Sequence, residues 1–155
     1  MRANTDLLPS VLAAGHRFIF IFHRETGTDI PTAGGTMRMS DEEYFRSCVS
    51  QERHLAQLRG HHNIEEFYES AGSLWENTQV LPKWTRDWKA CGPLIAEYAL
   101  AISYQDLPDD PHGKAIHIGT TIVHISDHPT QDQAMRYAIV KAAIAHLEHA
   151  KHCKH

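Results

Sequence analysis

Lys114–Ser126, with the sequence KAIHIGTTIVHIS, is the most regular stretch of this chain and predicts a β-sheet at its centre. Apolar and β-branched residues recur at every second position, which is typical of a β-strand. The alternation defines two faces: Ile116, Ile118, Thr120 and Ile122 on one, and Ala115, His117, Thr121 and Val123 on the other. We predict one continuous strand over these residues, with Gly119 interpreted as a β-bulge.

The segments on either side of this strand predict a hairpin and a helix. Leu107–Gly113, LPDDPHG, contains two prolines and a glycine, and this composition predicts a turn. The turn would connect the strand to an antiparallel partner near Ala99–Tyr104. Downstream, Thr130 and Gln133 form a capping box, which predicts a helix from Gln131 to the end of the chain.

Two further capping boxes predict helices in the first half of the chain. Ser40 with Glu43 begins a helix that ends at Gly60, and Asn63 with Glu66 begins a shorter helix that weakens at Gly72. In each case the N-cap side chain is expected to accept a hydrogen bond from the backbone three residues later. The acidic side chain at that later position is expected to bind the N-cap backbone in return.

The order of the elements predicts the fold class. Alternating aromatic residues predict a first strand at His16–Glu25, so the full order is strand, helix, helix, strand, strand, helix. This order favours an α+β fold, in which a small antiparallel sheet of about three or more strands packs against about three helices. We treat residues 1–155 as a single domain, with a strand–helix–helix part over about 1–80 and a strand–strand–helix part over about 81–155.

The composition argues against several classes of protein. The 155 residues contain 15 Lys and Arg against 19 Asp and Glu, and this net charge of −4 disfavours nucleic acid as a partner. No apolar run approaches the roughly 20 residues that span a bilayer, so no membrane association is expected. Three scattered cysteines favour a reducing compartment, and we expect a cytoplasmic chain.

The chain has 13 histidines, whose full protonation would add 13 charges to −4 and give +9. His117, His124 and His128 are the candidate residues of a histidine-based or metal-dependent hydrolase. On one continuous strand, however, His117 and His124 are an odd number of residues apart and would point to opposite faces. No motif assembles a complete catalytic set. We therefore expect no catalytic residues and keep the hydrolase as an alternative.

The predicted C-terminal helix carries a second histidine group. His149 and Cys153 are four residues apart, which places them side by side on a helix, and imidazole and thiolate are ligands that Zn²⁺ prefers. The terminal histidines advance by three residues per step, so they spiral around the helix and do not converge on one site. We expect no cofactor, with adventitious binding of Zn²⁺ or Ni²⁺ at these histidines.

All three tryptophans lie in residues 75–93, a stretch that is rich in aromatic residues and predicted to be irregular. Within it, Trp84, Arg86, Asp87 and Trp88 are the candidate binding residues, because aromatic and Arg side chains are enriched at protein interfaces. The alternative interpretation is that these side chains pin an irregular loop to the core. Both interpretations remain open from the sequence.

Two short motifs in the second half resemble a phage family. Asp87–Glu97, DWKACGPLIAE, resembles the D-W-x-x-G-G-P-[IL]-I-E pattern of the NinX-like family of small phage proteins. His128–Val140, HPTQDQAMRYAIV, is similar to the T-P-L-x-A-A-M-R-x-x-V block of the same family. The resemblance covers about residues 84–145, with Cys91 where the family usually has Gly and Ala96 inserted before the final glutamate.

This resemblance implies a phage or prophage accessory protein that acts in a bacterial cytoplasm. Our leading hypothesis is a non-catalytic protein that binds a bacterial host or phage protein and inhibits a host or defence machine. The family resemblance and the aromatic segment together motivate it. A homo-oligomeric structural protein, such as a homodimer formed by pairing of an exposed strand edge, is a second alternative.

Overall fold

The computed structural model of the chain describes residues 39–154. These residues belong to the second of the two units into which the chain divides, Met1–Gly35 and Thr36–His155. The strand predicted at His16–Glu25 therefore lies outside the described residues. Within the described part, no helix is both long and apolar enough to cross a membrane.

The described residues form three α-helices and two three-stranded antiparallel sheets, which confirms the predicted α+β class. The helices are α1 (Asp41–Leu58), α2 (Trp88–Glu97) and α3 (Gln131–His152). The first sheet contains β1 (Ile64–Phe67), β2 (Ser73–Glu76) and β3 (Gln79–Val80), in that order. The second contains β4 (Ile102–Leu107), β5 (Asp110–Ile118) and β6 (Thr121–His124), also in chain order.

Local capping signals place the two long helices correctly. The Ser40 hydroxyl accepts a hydrogen bond from the Glu43 backbone at 3.2 Å, and the Glu43 carboxylate accepts one from the Ser40 backbone at 3.0 Å. This reciprocal pair is the predicted capping box of α1. The Thr130 hydroxyl caps α3, accepting from the Gln133 backbone at 3.1 Å; the Gln133 side chain accepts from the Thr130 hydroxyl rather than from the Thr130 backbone, so this capping box forms only in part.

The short helix predicted from Asn63 is wrong, because these residues form β1. Asn63 has a φ of 57°, in the left-handed region, whereas a helix N-cap needs extended backbone. Glu66 does not bind back to Asn63; its carboxylate accepts a hydrogen bond from Arg53 of α1 at 3.0 Å. Pairing with Ser73–Glu76 then holds the segment as a strand.

Lys114–Ser126 is two strands, not one, so the predicted β-bulge at Gly119 is also wrong. Gly119 has a φ of 60° and begins the two-residue turn between β5 and β6. The predicted hairpin before it is confirmed, since β4 and β5 pair antiparallel. Its turn is tighter than predicted, because Leu107 already pairs with Asp110.

Part of the stretch predicted to be irregular, residues 75–93, is helical. Asp87 begins α2: its backbone is extended, and its carboxylate accepts a hydrogen bond from the Lys89 backbone at 2.9 Å. The core lies between α1, α2, α3 and the inner faces of both sheets. Its most buried side chains come from both sides of residue 80: Leu55, Leu74, Leu94, Ile116 and Ile139.

Candidate binding surface

The first sheet turns one face toward the core and leaves the other open to solvent. Leu74 of β2 is 1% exposed and belongs to the core. The next residue, Trp75, therefore points outward, and its cross-strand partners Glu65 and Val80 lie on the same face. Phe67, two residues along β1 from Glu65, completes this set. We call Glu65, Phe67, Trp75 and Val80 the outer face of the first sheet.

This outer face is aromatic and accessible. The Phe67 ring meets the Trp75 ring edge-on, with centroids 6.1 Å apart and an interplanar angle of 80°. Phe67 is 47% exposed and Val80 is 51% exposed, on either side of Trp75. The Trp75 indole N–H is buried without a hydrogen-bond acceptor among residues 39–154, an arrangement that costs roughly 1–3 kcal/mol. Apolar and aromatic side chains grouped in this way are typical of a protein-binding surface.

The charge near this face is negative. Residues 60–82 contain four glutamates and no Lys or Arg. Glu66 is paired with Arg53, and Glu76 accepts hydrogen bonds from the His61 ring at 2.8 Å and the His62 backbone at 2.5 Å. The His61 hydrogen bond is the main reason that the pKa of Glu76 is lowered. Glu65, in contrast, is exposed, and no ion pair joins it to another described residue.

A buried glutamate and an arginine hold the first sheet against α1. Glu52 is fully buried, and its carboxylate accepts hydrogen bonds from the Thr85 backbone and hydroxyl and from two nitrogens of Arg86. Arg86 also donates to the carbonyls of Ala71 at 2.6 Å and Gly72 at 3.0 Å, in the connection between β1 and β2. The Arg86 guanidinium therefore positions the hairpin that carries Phe67 and Trp75.

The four residues predicted to bind a partner have different environments. Trp84 is 4% exposed and lies in the core, with the Arg59 guanidinium 5.9 Å from its ring. Arg86 forms an ion pair with Glu52, and Asp87 caps α2. These three positions match the alternative interpretation, in which the segment is pinned to the core.

Trp88, the fourth, is 41% exposed. Its indole N–H donates to Asp132 at 2.5 Å, and the Arg136 guanidinium lies 5.5 Å from its ring. The indole hydrogen bond is the main reason that the pKa of Asp132 is lowered. Trp88 is therefore fixed against α3 and remains accessible on one side.

The three candidate catalytic histidines occupy two places. Cross-strand pairing of His117 with Ile122 and of Ala115 with His124 puts His117 and His124 on the same face of the second sheet. The expectation that they point to opposite faces was wrong because the chain reverses at Gly119. His128 lies elsewhere, in a buried position after β6.

His128 is packed between two tyrosine rings. The centroid of its ring is 5.2 Å from that of Tyr44 and 4.9 Å from that of Tyr137. Its Nδ1 is buried and has no hydrogen-bond partner in the part of the chain that the structure describes, and burial lowers the pKa of the imidazole. Beside Tyr44 lies a cavity of about 360 Å³ that is open to solvent; its lining includes Phe45, Cys48 and Arg86 but not His128.

The two candidate metal ligands of the C-terminal helix lie close together. Cys153 Sγ is 3.8 Å from His149 Nε2. A structural zinc site needs four ligands and a catalytic one needs three. Within residues 39–154, no group of three or more His, Cys, Asp or Glu side chains is arranged to hold a metal ion. His146 and His149 instead border a cavity of about 460 Å³ between α3 and the loop before β4.

These features define a small α+β protein with an exposed aromatic sheet face. Comparison of the chain with protein-family models, with curated proteins and with solved structures gives no match. The resemblance of residues 84–145 to the NinX-like family therefore stays a prediction. A functional assignment depends on the geometry and charge of the described residues.

Sequence reasoning missed the outer face of the first sheet. The capping-box pattern at Asn63 suggested a helix, which would have placed Phe67 on a helical surface far from Val80. Two signals were present, since Gly72 and Asn77 both favour turns and divide residues 64–80 into short segments. Both residues adopt positive φ in the structure, 58° and 56°. The turn preference of these two residues was therefore the sequence signal that predicted the short strands of the first sheet.

Proposed function

We propose that this chain is a small non-catalytic protein that works by binding another protein through the outer face of its first sheet. The observation that carries the proposal is the arrangement of Phe67, Trp75 and Val80 across three neighbouring strands, with Phe67 and Val80 exposed on either side of the half-buried Trp75. Trp and neighbouring aromatic residues contribute much of the binding energy in protein interfaces. A rigid sheet also presents them with little loss of conformational entropy.

The same proposal places the protein in a biological setting. The resemblance of residues 84–145 to small phage proteins supports a phage or prophage accessory protein in a bacterial cytoplasm. Its partner is then a bacterial host or phage protein, and inhibition of a host or defence machine is the expected consequence of binding. The separation of His128 from His117 and His124 favours binding over histidine-based hydrolysis, because acid–base catalysis needs its groups around one reacting bond.

Affinity purification from the bacterium that carries the gene tests this proposal. The bait is the full chain, compared with the double variant Phe67→Ser/Val80→Ser. Ile122→Ser is the matched control, because Ile122 is 48% exposed on the outer face of the second sheet. We expect at least one protein that the wild type and the control recover equally and the double variant recovers at about a tenth of that level, a loss of roughly 1.4 kcal/mol. If the double variant recovers every protein at the same level as the wild type, the proposal is wrong.

A further inference from the structure

The outer face of the first sheet combines apolar rings with an exposed carboxylate. Glu65 lies directly opposite Trp75, which lies opposite Val80 in the next strand. The basic side chains that contact the first sheet are already paired with acids: Arg53 with Glu66 and Arg86 with Glu52. An incoming segment therefore meets aromatic rings and negative charge together.

We infer that the segment docking on this face is an apolar peptide segment of a protein partner that carries Lys or Arg side chains. The inference rests on the proposed function and names the chemistry of its partner. A cation above the Trp75 or Phe67 ring gains a cation–π interaction, and the same cation reaches the Glu65 carboxylate. An acidic segment meets the exposed Glu65 carboxylate and is disfavoured by like-charge repulsion.

The apolar and charged parts of the surface have different tasks. Phe67, Trp75 and Val80 supply the contact area from which most of the affinity comes. Glu65 is exposed, so its ion pair with a partner is screened by salt and acts mainly on partner choice and association rate. Loss of the rings should therefore weaken binding to every ligand of this face. Reversal of the Glu65 charge should change which ligands bind.

A library of random twelve-residue peptides, selected on the full chain, provides the probe. Peptides that also bind Phe67→Ser/Val80→Ser are removed, which leaves those that depend on the outer face. We expect the remaining peptides to combine Lys or Arg with Phe, Trp, Leu or Val, and to carry a net positive charge. For a representative peptide, Glu65→Lys should weaken binding about fivefold, measured by fluorescence anisotropy at low salt.

Asp109→Lys is the matched control, because it makes the same charge change at the exposed turn between β4 and β5. It should leave the affinity within about twofold of wild type, which is within the range of an uninvolved surface charge. Face-dependent peptides that are neutral or acidic would overturn the inference and leave the proposed function standing. The inference is also overturned if Glu65→Lys and Asp109→Lys weaken binding equally, or if no peptide depends on the face. The proposed function is tested separately, by the affinity purification with the Phe67→Ser/Val80→Ser variant.

Discussion

Glu52 of α1 and Arg86 form a buried ion pair, with Arg86 Nη2 2.6 Å from Glu52 Oε2 and Arg86 Nε 3.1 Å from Glu52 Oε1. The side chain of Glu52 is 1% exposed and that of Arg86 is 19% exposed. Because Arg86 also binds the carbonyls of Ala71 and Gly72, this pair connects α1 to the hairpin that carries the proposed binding surface.

Replacement of Glu52 by Ala should lower the free energy of unfolding by about 3–5 kcal/mol, because it leaves the partly buried Arg86 guanidinium without its counter-charge and the buried Thr85 donors without their acceptor. Urea unfolding at neutral pH measures this loss. The double variant Glu52→Leu/Arg86→Met should lose much less, since no unpaired charge remains. Equal losses in the single and double variants would show that the pair does not have this role.

Two tryptophans of the same segment should respond very differently to truncation. Trp84→Ala removes a core side chain and should cost about 3–5 kcal/mol of unfolding free energy. Trp88→Ala removes an exposed hydrogen bond to Asp132 and a contact with Arg136, which together contribute about 1 kcal/mol. Thermal or urea unfolding distinguishes them. Similar losses at both positions would contradict the environments described for the two rings.

Gly72 and Gly119 form a matched pair for a test of backbone and packing. Both have positive φ, 58° and 60°, so Ala at either position costs about 1–2 kcal/mol of backbone strain. A Cβ at Gly72 would also lie 2.7 Å from Phe45 Cζ, whereas nothing lies within 4 Å of a Cβ at Gly119.

The Cβ at Gly72 would also lie 3.1 Å from Cγ2 of the buried Val49, so the Phe45 and Val49 side chains would both have to shift to make room for it. Gly72→Ala should therefore lose about 1–3 kcal/mol more unfolding free energy than Gly119→Ala. Urea unfolding of the two variants side by side gives the difference. Indistinguishable variants would mean that the hairpin does not pack on α1 as described.

His128 should make the protein less stable in mild acid. Burial, which is only partly offset by the nearby Asp127 carboxylate and is reinforced by Lys141, lowers the pKa of His128 below its ordinary value of 6.5. The unfolded state then binds more protons than the folded state as the pH falls below 6.5. Stability is fully present above that pH and is lost as the pH falls toward the folded pKa, by at most about 1.4 kcal/mol per pH unit.

The variant His128→Phe keeps a ring between Tyr44 and Tyr137 and removes the titration. Between pH 7.5 and 5.5 it should lose less unfolding free energy than the wild type. His54→Phe serves as the control, because His54 is exposed beside Glu148 on the helix surfaces. A wild-type protein whose unfolding free energy is constant over this range would contradict the buried neutral state of His128.

Local interactions explain which elements could be predicted from the sequence. Ser40 with Glu43, and Thr130 with Gln133, act within one turn of their own helices, so their sequence patterns identify α1 and α3. The same pattern at Asn63 does not form a capping box, because the Glu66 carboxylate binds Arg53 of α1 instead. The segment pairs with β2 as a strand. The local preference of a short segment for helix is outweighed by such pairing with distant residues.

The candidate site could be predicted only in part, because strand register determines which side chains share a face. Phe67, Trp75 and Val80 are far apart in sequence and come together only through pairing of β1, β2 and β3. His117 and His124 were assigned to opposite faces for the same reason: a two-residue turn at Gly119 reverses the relation between them. The tryptophan-rich segment was recognised, but its contacts with Glu52, Arg59 and Asp132 join residues that are far apart in the sequence.

Photo-crosslinking inside the cell tests whether the outer face of the first sheet binds a protein partner. The probe p-benzoylphenylalanine replaces Phe67 in one variant and Ile122 in another, since both positions are about half exposed on outer sheet faces. We predict that irradiation of the position 67 variant produces a covalent adduct with a single protein other than this chain. The position 122 variant should produce no adduct. An adduct of position 67 with a second copy of the chain, equal adducts from both positions, or no adduct from position 67 would contradict the claim that the first sheet binds a protein partner.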